Sequence, residues 1–198
     1  MLAALSWSGL TAEPPPPLQE ETRRGIVDLD GRPRDLAEFR GSIVVVNFWA
    51  TWCVPCRLEM PLFADIASRR RGAGVVIVGA SADRLEDARK VRRFANDLGI
   101  DFPIWVGATT EDMTRLGLGT ALPATAVLDR DGRVAVRIDG VIDGPGLDNW
   151  IDWLIGDRTA PVPPVPIGTA LPAVEEGHEH EHRHGPGVGL DGPSLVPS

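Results

Sequence analysis

The chain is poor in the residues that build metal sites, with two cysteines and four histidines among 198 residues. A structural zinc site needs about four ligands, and no second Cys pair or neighbouring His completes one around the two cysteines. We therefore predict neither a metal nor another cofactor. All the histidines lie in a Gly, Pro and Glu-rich tract near the C-terminus, so none is available as a base within the folded domain. They are His178, His180, His182 and His184, and we expect a solvated tract rather than a loose transition-metal site.

Basic residues are too few to form a nucleic-acid surface, because the formal net charge is −8. Nucleic acids and anionic membranes require clustered Lys and Arg, so no nucleic acid is expected among the partners. Residues 1–12 are mildly apolar, but they lack the basic residues of a signal-peptide n-region and are too short to span a bilayer. Two interpretations remain open for this segment: a truncated export signal or anchor, and a disordered leader.

The distribution of Pro, Gly and apolar residues divides the chain into three parts. Residues 1–24 form a leader that contains a stiff run of prolines at 14–17. Residues 25–156 carry the apolar periodicity of one domain, and their number supports a single core. Residues 157–198 lose that periodicity and become rich in Pro, Gly and His, so we predict that they are disordered.

The two cysteines are separated by two residues, in the sequence WCVPC directly after the apolar run 43–49. Such a run without polar alternation indicates a central strand that is buried on both faces. Pro55 favours a helix start here, because proline is tolerated in the first helical turn. With Cys53 as a non-helical cap and Cys56 one turn inside, the two sulfurs come within reach of a disulfide.

A helix start also changes the chemistry of the first cysteine. Unsatisfied backbone N–H groups and the positive end of the helix dipole favour the thiolate over the thiol. We therefore predict that Cys53 is a nucleophile and that the more buried Cys56 is the resolving thiol. The alternatives for this pair are a structural disulfide and two inert thiols.

Strand and helix patterns alternate along the rest of the domain. Buried strands are predicted at 75–80 and 102–106, and helices at 54–71, 83–98 and 110–116. A short hairpin near 27–31 precedes them, and a longer hairpin at 124–138 and a last helix ending at 155 follow. The pattern predicts an α/β fold with a central mixed β-sheet flanked by helices. The cysteine motif stands at the carboxyl end of a central strand, where such sheets commonly carry their function.

Residues 44–61 closely resemble the thioredoxin superfamily, and specifically its TlpA/ResA-like branch of exported thiol-disulfide oxidoreductases; they read VVVNFWATWCVPCRLEMP. The resemblance extends over residues 25–156 and includes the sequence Leu-Pro-Ala-Thr at 122–125. It implies a thioredoxin-like fold with an N-terminal hairpin and an inserted strand-helix unit.

The same resemblance implies a proton-transfer group. Cytosolic thioredoxins carry a buried acid on the central strand where this chain has Asn47, which cannot carry a proton. Glu59 matches the acidic residue that the TlpA/ResA-like branch places behind its dithiol, and its position three residues after Cys56 puts both on one helix face. We expect Glu59 to exchange a proton with the buried thiol; an exposed helical Glu is the alternative.

The resemblance further implies a substrate surface around the dithiol. Pro123 is expected to follow a cis peptide bond and to face the cysteines, where the neighbouring backbone pairs with a substrate chain. The expected substrate contacts are Trp52, Pro55, Leu122 and Pro123. A purely packing role is the alternative for Trp52.

These expectations describe a thiol-disulfide oxidoreductase that reduces disulfides of exported client proteins through Cys53 and Cys56. The expected partners are a disulfide-containing client and a membrane dithiol donor, and the chain is expected to be monomeric. An extracytoplasmic location in the periplasm or cell envelope, with or without a tether, is expected; the cytoplasm is the alternative.

Two rival functions use the same cysteines. One is a non-enzymatic module that holds copper(I) or a peptide between the two thiolates. The other is a thiol peroxidase on the same fold. That type of enzyme carries a Thr three residues before its reactive Cys, whereas Thr51 lies two residues before Cys53.

Overall fold

The computed structural model describes residues 25–167, so the predictions for residues 1–24 and 168–198 lie outside it. Two single-turn 3-10 helices, Leu36–Phe39 and Leu85–Asp87, accompany ten strands and helices. In chain order these are β1 (Val27–Asp28), β2 (Ile43–Trp49), α1 (Val54–Arg69), β3 (Val75–Ser81), α2 (Ala88–Asp97), β4 (Ile104–Val106), α3 (Thr110–Arg115), β5 (Ala124–Leu128), β6 (Val134–Asp139) and α4 (Gly144–Ile155).

One mixed sheet of six strands organises the domain in the order β1-β4-β3-β2-β5-β6. Strand β2 lies parallel to β3, with Val44 opposite Val76. It lies antiparallel to β5, with Phe48 opposite Ala124. The predicted α/β fold with a central mixed sheet is therefore confirmed.

Strand β2 is buried along its whole length, as its continuous apolar sequence predicts. Ile43 and Val45 contact a core that α1, α2 and α4 cover, whereas Val44 and Val46 contact a second core on the α3 side. Each fully buried Val or Ile contributes about 1.5–3 kcal/mol relative to an exposed one. This packing fixes the place where the chain leaves the carboxyl end of β2 and enters α1.

The N-terminal hairpin is present in a small form at the edge of the sheet. Strand β1 pairs antiparallel with β4, and a single bridge joins Val27 to Pro33. The Asp28 carboxylate accepts the backbone N–H groups of Asp30 and Arg32, each at 2.9 Å, and closes the turn. The sheet therefore gains an edge strand on the side away from β5 and β6.

Helix α2 begins at Ala88 rather than at Asp83, where the hydrophobic pattern placed its start. The side chain of Asp83 is buried in hydrogen bonds to Thr51 and Ser81, so this residue belongs to the loop after β3. A 3-10 turn at Leu85–Asp87 then leads into the helix. The amphipathic pattern located the helix correctly but overlooked the competing hydrogen bonds of the Asp83 side chain.

Residues 157–167 correct the prediction that the chain is disordered beyond residue 156. They run back along α4, where the indole N–H of Trp150 donates to the carbonyl of Pro164 at 2.7 Å and that of Trp153 donates to Ala160 at 2.9 Å. Pro166 is buried. The composition of the segment does not predict this ordered structure, because the indole N–H donors that stabilise it lie on α4, outside the Pro-rich segment. We call residues 157–167 the α4 strap.

Candidate active site at the start of helix α1

The two cysteines form a disulfide across the first turn of α1. Cys53 is the N-cap residue, with extended backbone angles of φ −86° and ψ 104°, and its sulfur accepts the N–H of Cys56 at 3.3 Å. Pro55 stands in the first turn, where it leaves no helical hydrogen bond unmade. The Cα atoms of the two cysteines are 5.3 Å apart. The helix start therefore has the arrangement that the motif predicts.

The two sulfurs differ in their access to solvent. Cys53 keeps 7% of its surface exposed, whereas Cys56 is completely buried. The first turn of α1 carries no acidic residue that would oppose a negative charge on sulfur. Backbone N–H groups at a helix start stabilise a thiolate. When the disulfide is reduced, this setting favours ionisation of the outer Cys53.

A cleft of about 660 Å³ opens beside the outer cysteine. Trp52, Cys53, Pro55 and Leu122 line it, together with residues of the loop before α3 and of α3 itself. Trp52 is 64% exposed, so it stands at the rim as a large apolar surface rather than in the core. Three of the four predicted substrate-contact residues thus surround the accessible sulfur.

The fourth, Pro123, is buried next to the cleft and does not line it. The Leu122–Pro123 peptide bond is cis, and the carbonyl of Pro123 accepts the N–H of Gly140 at 2.9 Å. Because β5 runs antiparallel to β2, its first residue, Ala124, pairs with Phe48 near the end of β2. The Leu122–Pro123 loop and the start of α1 therefore meet at the same edge of the sheet.

Glu59 is buried in the second turn of α1, with only 4% of its surface exposed. One carboxylate oxygen, Oε1, accepts the backbone N–H of Ile142 at 2.5 Å. The other, Oε2, has no hydrogen-bond partner among residues 25–167. Burial raises the pKa of Glu59 to about 7, against the lowering effect of the Ile142 hydrogen bond. The side chain is therefore not an exposed helical Glu, and it exchanges its proton near neutral pH.

Asn47 is buried on β2, in the position that the resemblance assigned to an acid in cytosolic thioredoxins. Its side-chain amide donates to Thr125 Oγ1 on β5 at 3.1 Å, while its own oxygen has no partner within the described part of the chain. This side-chain hydrogen bond links β2, which precedes the dithiol, to β5, which follows the cis proline. Asn47 supplies no titratable group there.

A buried carboxylate that the sequence did not single out holds the loop before the cysteines. Asp83 Oδ2 accepts the Thr51 backbone N–H at 2.8 Å and the Ser81 hydroxyl at 2.7 Å, while Oδ1 accepts the Thr51 hydroxyl at 2.6 Å. Ser81 is the last residue of β3, which runs parallel to β2, and Asp83 follows it, so the carboxyl ends of both strands meet here. Two polar residues at the end of a buried parallel strand were the available signal.

Comparison with known proteins assigns the chain to a protein family. The AhpC/TSA family model matches residues 16–137. The chain belongs to the AhpC/TSA family. Within this family, the resemblance to the TlpA/ResA-like branch of the thioredoxin superfamily is also confirmed. The thiol-disulfide oxidoreductase ResA of Bacillus thuringiensis (strain Al Hakam) is 34% identical over 115 residues, which are 58% of this chain and 65% of that protein.

Two similar solved structures share the architecture. A thiol:disulfide interchange protein of the thioredoxin family from Chlorobium tepidum is 29% identical with a TM-score of 0.56; the match covers 66% of this chain and 91% of that one. A thioredoxin-related protein from Neisseria meningitidis serogroup B is 27% identical with a TM-score of 0.57, covering 65% and 97%. The chain spans about 65% of the length of the curated family member from Bacillus thuringiensis.

Two further observations concern the described residues of this family member. Within residues 25–167, no helix combines the length and the apolar character that a bilayer crossing requires. The same residues contain no group of three or more Cys, His, Asp or Glu side chains that is arranged to hold a metal ion.

Proposed function

We propose that this protein is a thiol-disulfide oxidoreductase that reduces disulfides of client proteins by exchange through Cys53 and Cys56. The observation that carries the proposal is the disulfide at the start of α1, with one sulfur at a cleft and the other fully buried. A purely structural disulfide has no need of such access. The chain is similar to proteins named thiol-disulfide oxidoreductases, which supports the same function.

The reaction starts from the reduced dithiol. The Cys53 thiolate attacks one sulfur of the client disulfide; a new bond forms between Cys53 and that sulfur, and the client S–S bond breaks. The released client thiolate takes a proton from solvent. Trp52, Pro55, Leu122 and Pro123 hold the client segment at the cleft, with the first three in direct contact.

The second step returns the protein to the form that the structure shows. Cys56 loses its proton, attacks the Cys53 sulfur and expels the second client thiolate, so two electrons pass from the dithiol to the client. Glu59 accepts the Cys56 proton. A buried carboxyl with a pKa of about 7 suits this task, because it is partly ionised at neutral pH and close to a thiol in proton affinity.

The setting of the reaction follows from the same proposal. The clients are exported proteins, and a membrane dithiol donor restores the reduced form. The protein acts as a monomer outside the cytoplasm, in the periplasm or the cell envelope, and uses no cofactor besides its cysteine pair. The similarity to ResA proteins supports this setting.

Trapping of mixed disulfides tests the proposal. Cys56→Ser leaves Cys53 able to attack but removes the thiol that resolves the intermediate, so we expect it to accumulate disulfide-linked clients on non-reducing gels. Cys53→Ser is the matched control, because it keeps one cysteine but places it out of reach of clients. Equal trapping by both variants, or by neither, would contradict the proposal.

The rival functions predict other outcomes. A copper(I) module would bind one metal ion per cysteine pair in the reduced protein and trap no client. A thiol peroxidase would oxidise Cys53 with peroxide, assisted by a Thr hydroxyl. Here the Thr51 hydroxyl donates to Asp83 at 2.6 Å, which directs it to the loop after β3.

A further inference from the structure

The α4 strap is held to the domain at several points along its length. The indole of Trp150 binds the carbonyl of Pro164, and the buried ring of Pro166 packs over the first turn of α4. Gly146 permits this close approach, since a Cβ at that position would lie 2.7 Å from Pro166 Cβ and 3.2 Å from its Cα. The far end of the strap is therefore seated against the start of α4.

The same end of the strap is bound to the connection between β6 and α4. The N–H of Asp143 donates to the carbonyl of Pro166 at 3.0 Å, and Ile142 forms a β-bridge with Ile167. The Asp143 carboxylate caps α4 by accepting the N–H of Gly146 at 2.9 Å. Two consecutive residues, Ile142 and Asp143, thus join the strap to the domain.

One of these two residues is also the only hydrogen-bond donor to Glu59 among the described residues. The N–H of Ile142 donates to Glu59 Oε1, while the next N–H along the chain donates to the strap. Each peptide group is planar, and the two planes that carry these N–H groups meet at the Ile142 Cα atom. A displacement of Pro166 that pulls on the Asp143 N–H therefore acts on the peptide group next to the one that donates to Glu59.

Other charged groups around Glu59 are occupied elsewhere. On the β6–α4 connection, the Asp143 carboxylate binds the start of α4. On α4, Asp148 binds Arg69 and Arg70 at the far end of α1. Within residues 25–167, no charged side chain forms a hydrogen bond or an ion pair with Glu59, so burial and the Ile142 N–H set its proton affinity.

We propose that the α4 strap positions the Ile142 N–H against Glu59 and so sets the pH at which Glu59 exchanges its proton with the dithiol. Pro166 and Trp150 are positioning residues in this proposal, because they act through Ile142 and contact neither sulfur nor client. The inference rests on the proposed function only for the consequence at the dithiol. The coupling between the strap and Glu59 is measurable in the oxidised protein without any activity.

Two variants of the full chain loosen the strap in different ways. Trp150→Phe removes the indole donor to Pro164 and keeps an aromatic ring in the core. Gly146→Ala places a methyl group against both Pro166 and the Asp143 carboxylate. Since the Ile142 hydrogen bond favours the ionised form, weakening it raises the midpoint of Glu59 above its value of about 7. We expect an increase of roughly half a unit to one unit in both variants, measured by carbon-13 NMR titration of the Glu59 carboxyl in the oxidised protein.

Trp153→Phe is the matched control. It removes the other indole bond of the strap, which reaches Ala160, six residues before Pro166 in the chain. We expect the Glu59 midpoint to stay at the wild-type value in this variant. A folded Trp150→Phe or Gly146→Ala protein with the wild-type midpoint would overturn the proposal, and so would an equal shift in Trp153→Phe.

A measurement on the unchanged protein covers the case in which the strap variants do not fold. The amide resonances of Asp143 and Ile167 are expected to shift with the same midpoint as the Glu59 carboxyl, because the Asp143 N–H donates to Pro166 and Ile167 is bridged to Ile142. If these amide chemical shifts did not change as Glu59 ionises, the proposed coupling between the strap and Glu59 would be wrong.

One further experiment distinguishes failure of the proposed function from failure of the strap inference. If Glu59→Gln leaves the pH profile of disulfide exchange unchanged, Glu59 has no part in the reaction, whatever the strap does. If Glu59→Gln alters the profile while the strap variants keep the wild-type midpoint, the proposed function stands and the strap inference falls.

Discussion

The two ends of helix α1 are built in opposite ways. At its N-terminal end, the disulfide and Glu59 are buried, and Glu59 has one hydrogen-bond donor. At its C-terminal end, Arg69 and Arg70 form a partly exposed network with Asp148 and other carboxylates. A buried carboxyl with one partner, such as Glu59, has a shifted pKa that suits it to proton transfer. The more exposed ion pairs of Arg69 and Arg70 mainly connect α1 to α4.

The two ends also respond to pH in opposite directions. Burial raises the pKa of Glu59 from 4.5 to about 7, so the native state holds this proton longer than the unfolded chain. Stability therefore falls as the pH rises from 4.5 towards 7. For Asp148, burial opposes ionisation, but the hydrogen bonds from Arg69 and Arg70 outweigh it and lower the pKa below 3.8. Its contribution is present above that value and is lost as the pH falls through the lowered pKa.

The largest expected effect comes from Asp83, which fixes the loop before Cys53. Asp83→Ala leaves the Thr51 N–H and two hydroxyl groups without their acceptor in the core, and we expect a loss of about 3 kcal/mol in the free energy of unfolding. The reactivity of Cys53 should fall as well, because the residues before it lose their support. Urea unfolding and the rate of Cys53 alkylation measure the two effects.

Ser81→Ala is the control for this change. It removes one donor to the Asp83 carboxylate and the acceptor of the Asp83 N–H but keeps both Thr51 bonds, so we expect a loss of about 1–2 kcal/mol and an unchanged rate of alkylation. If Asp83→Ala kept the wild-type reactivity of Cys53, the carboxylate would stabilise the fold without supporting the dithiol.

Glu59→Gln should change the pH dependence of stability at the N-terminal end. The wild-type protein should lose about 3 kcal/mol of stability between pH 4.5 and 7, since a shift of one pKa unit corresponds to about 1.4 kcal/mol. Glutamine does not titrate, so this slope should disappear. Urea unfolding of both proteins at a series of pH values measures the difference, and parallel curves would show that Glu59 titrates normally.

A smaller effect is expected at the C-terminal end. Asp148→Ala removes the carboxylate that binds both Arg69 and Arg70, and we expect a loss of about 1 kcal/mol that decreases in high salt. Asp152→Ala removes a more exposed partner of Arg70 and should cost less than about 0.5 kcal/mol. Thermal unfolding at low and high ionic strength checks both, and a salt-independent loss in Asp148→Ala would indicate packing rather than charge.

Sequence patterns were sufficient for features that depend on neighbouring residues. The uninterrupted apolar run predicted the buried β2, and Pro55 together with the cysteine spacing predicted the capped start of α1. Contacts between distant segments were not predictable in this way. The partner of Glu59 is a backbone N–H of Ile142, which carries no side-chain signal, and the order of the α4 strap depends on indole donors from Trp150 and Trp153. Asp83 was assigned to a helix because a hydrophobic pattern does not register side-chain hydrogen bonds.

The pairing of β2 with β5 has a consequence for the newly made chain. Cys53 and Cys56 leave the ribosome well before Leu122, which lines the cleft beside Cys53 only when β5 docks beside β2. During that interval the nascent polypeptide presents two thiols without the cleft that lies beside Cys53 in the folded domain. Delivery of this protein to an oxidising environment before synthesis of the hairpin is complete would expose those sulfurs to indiscriminate coupling.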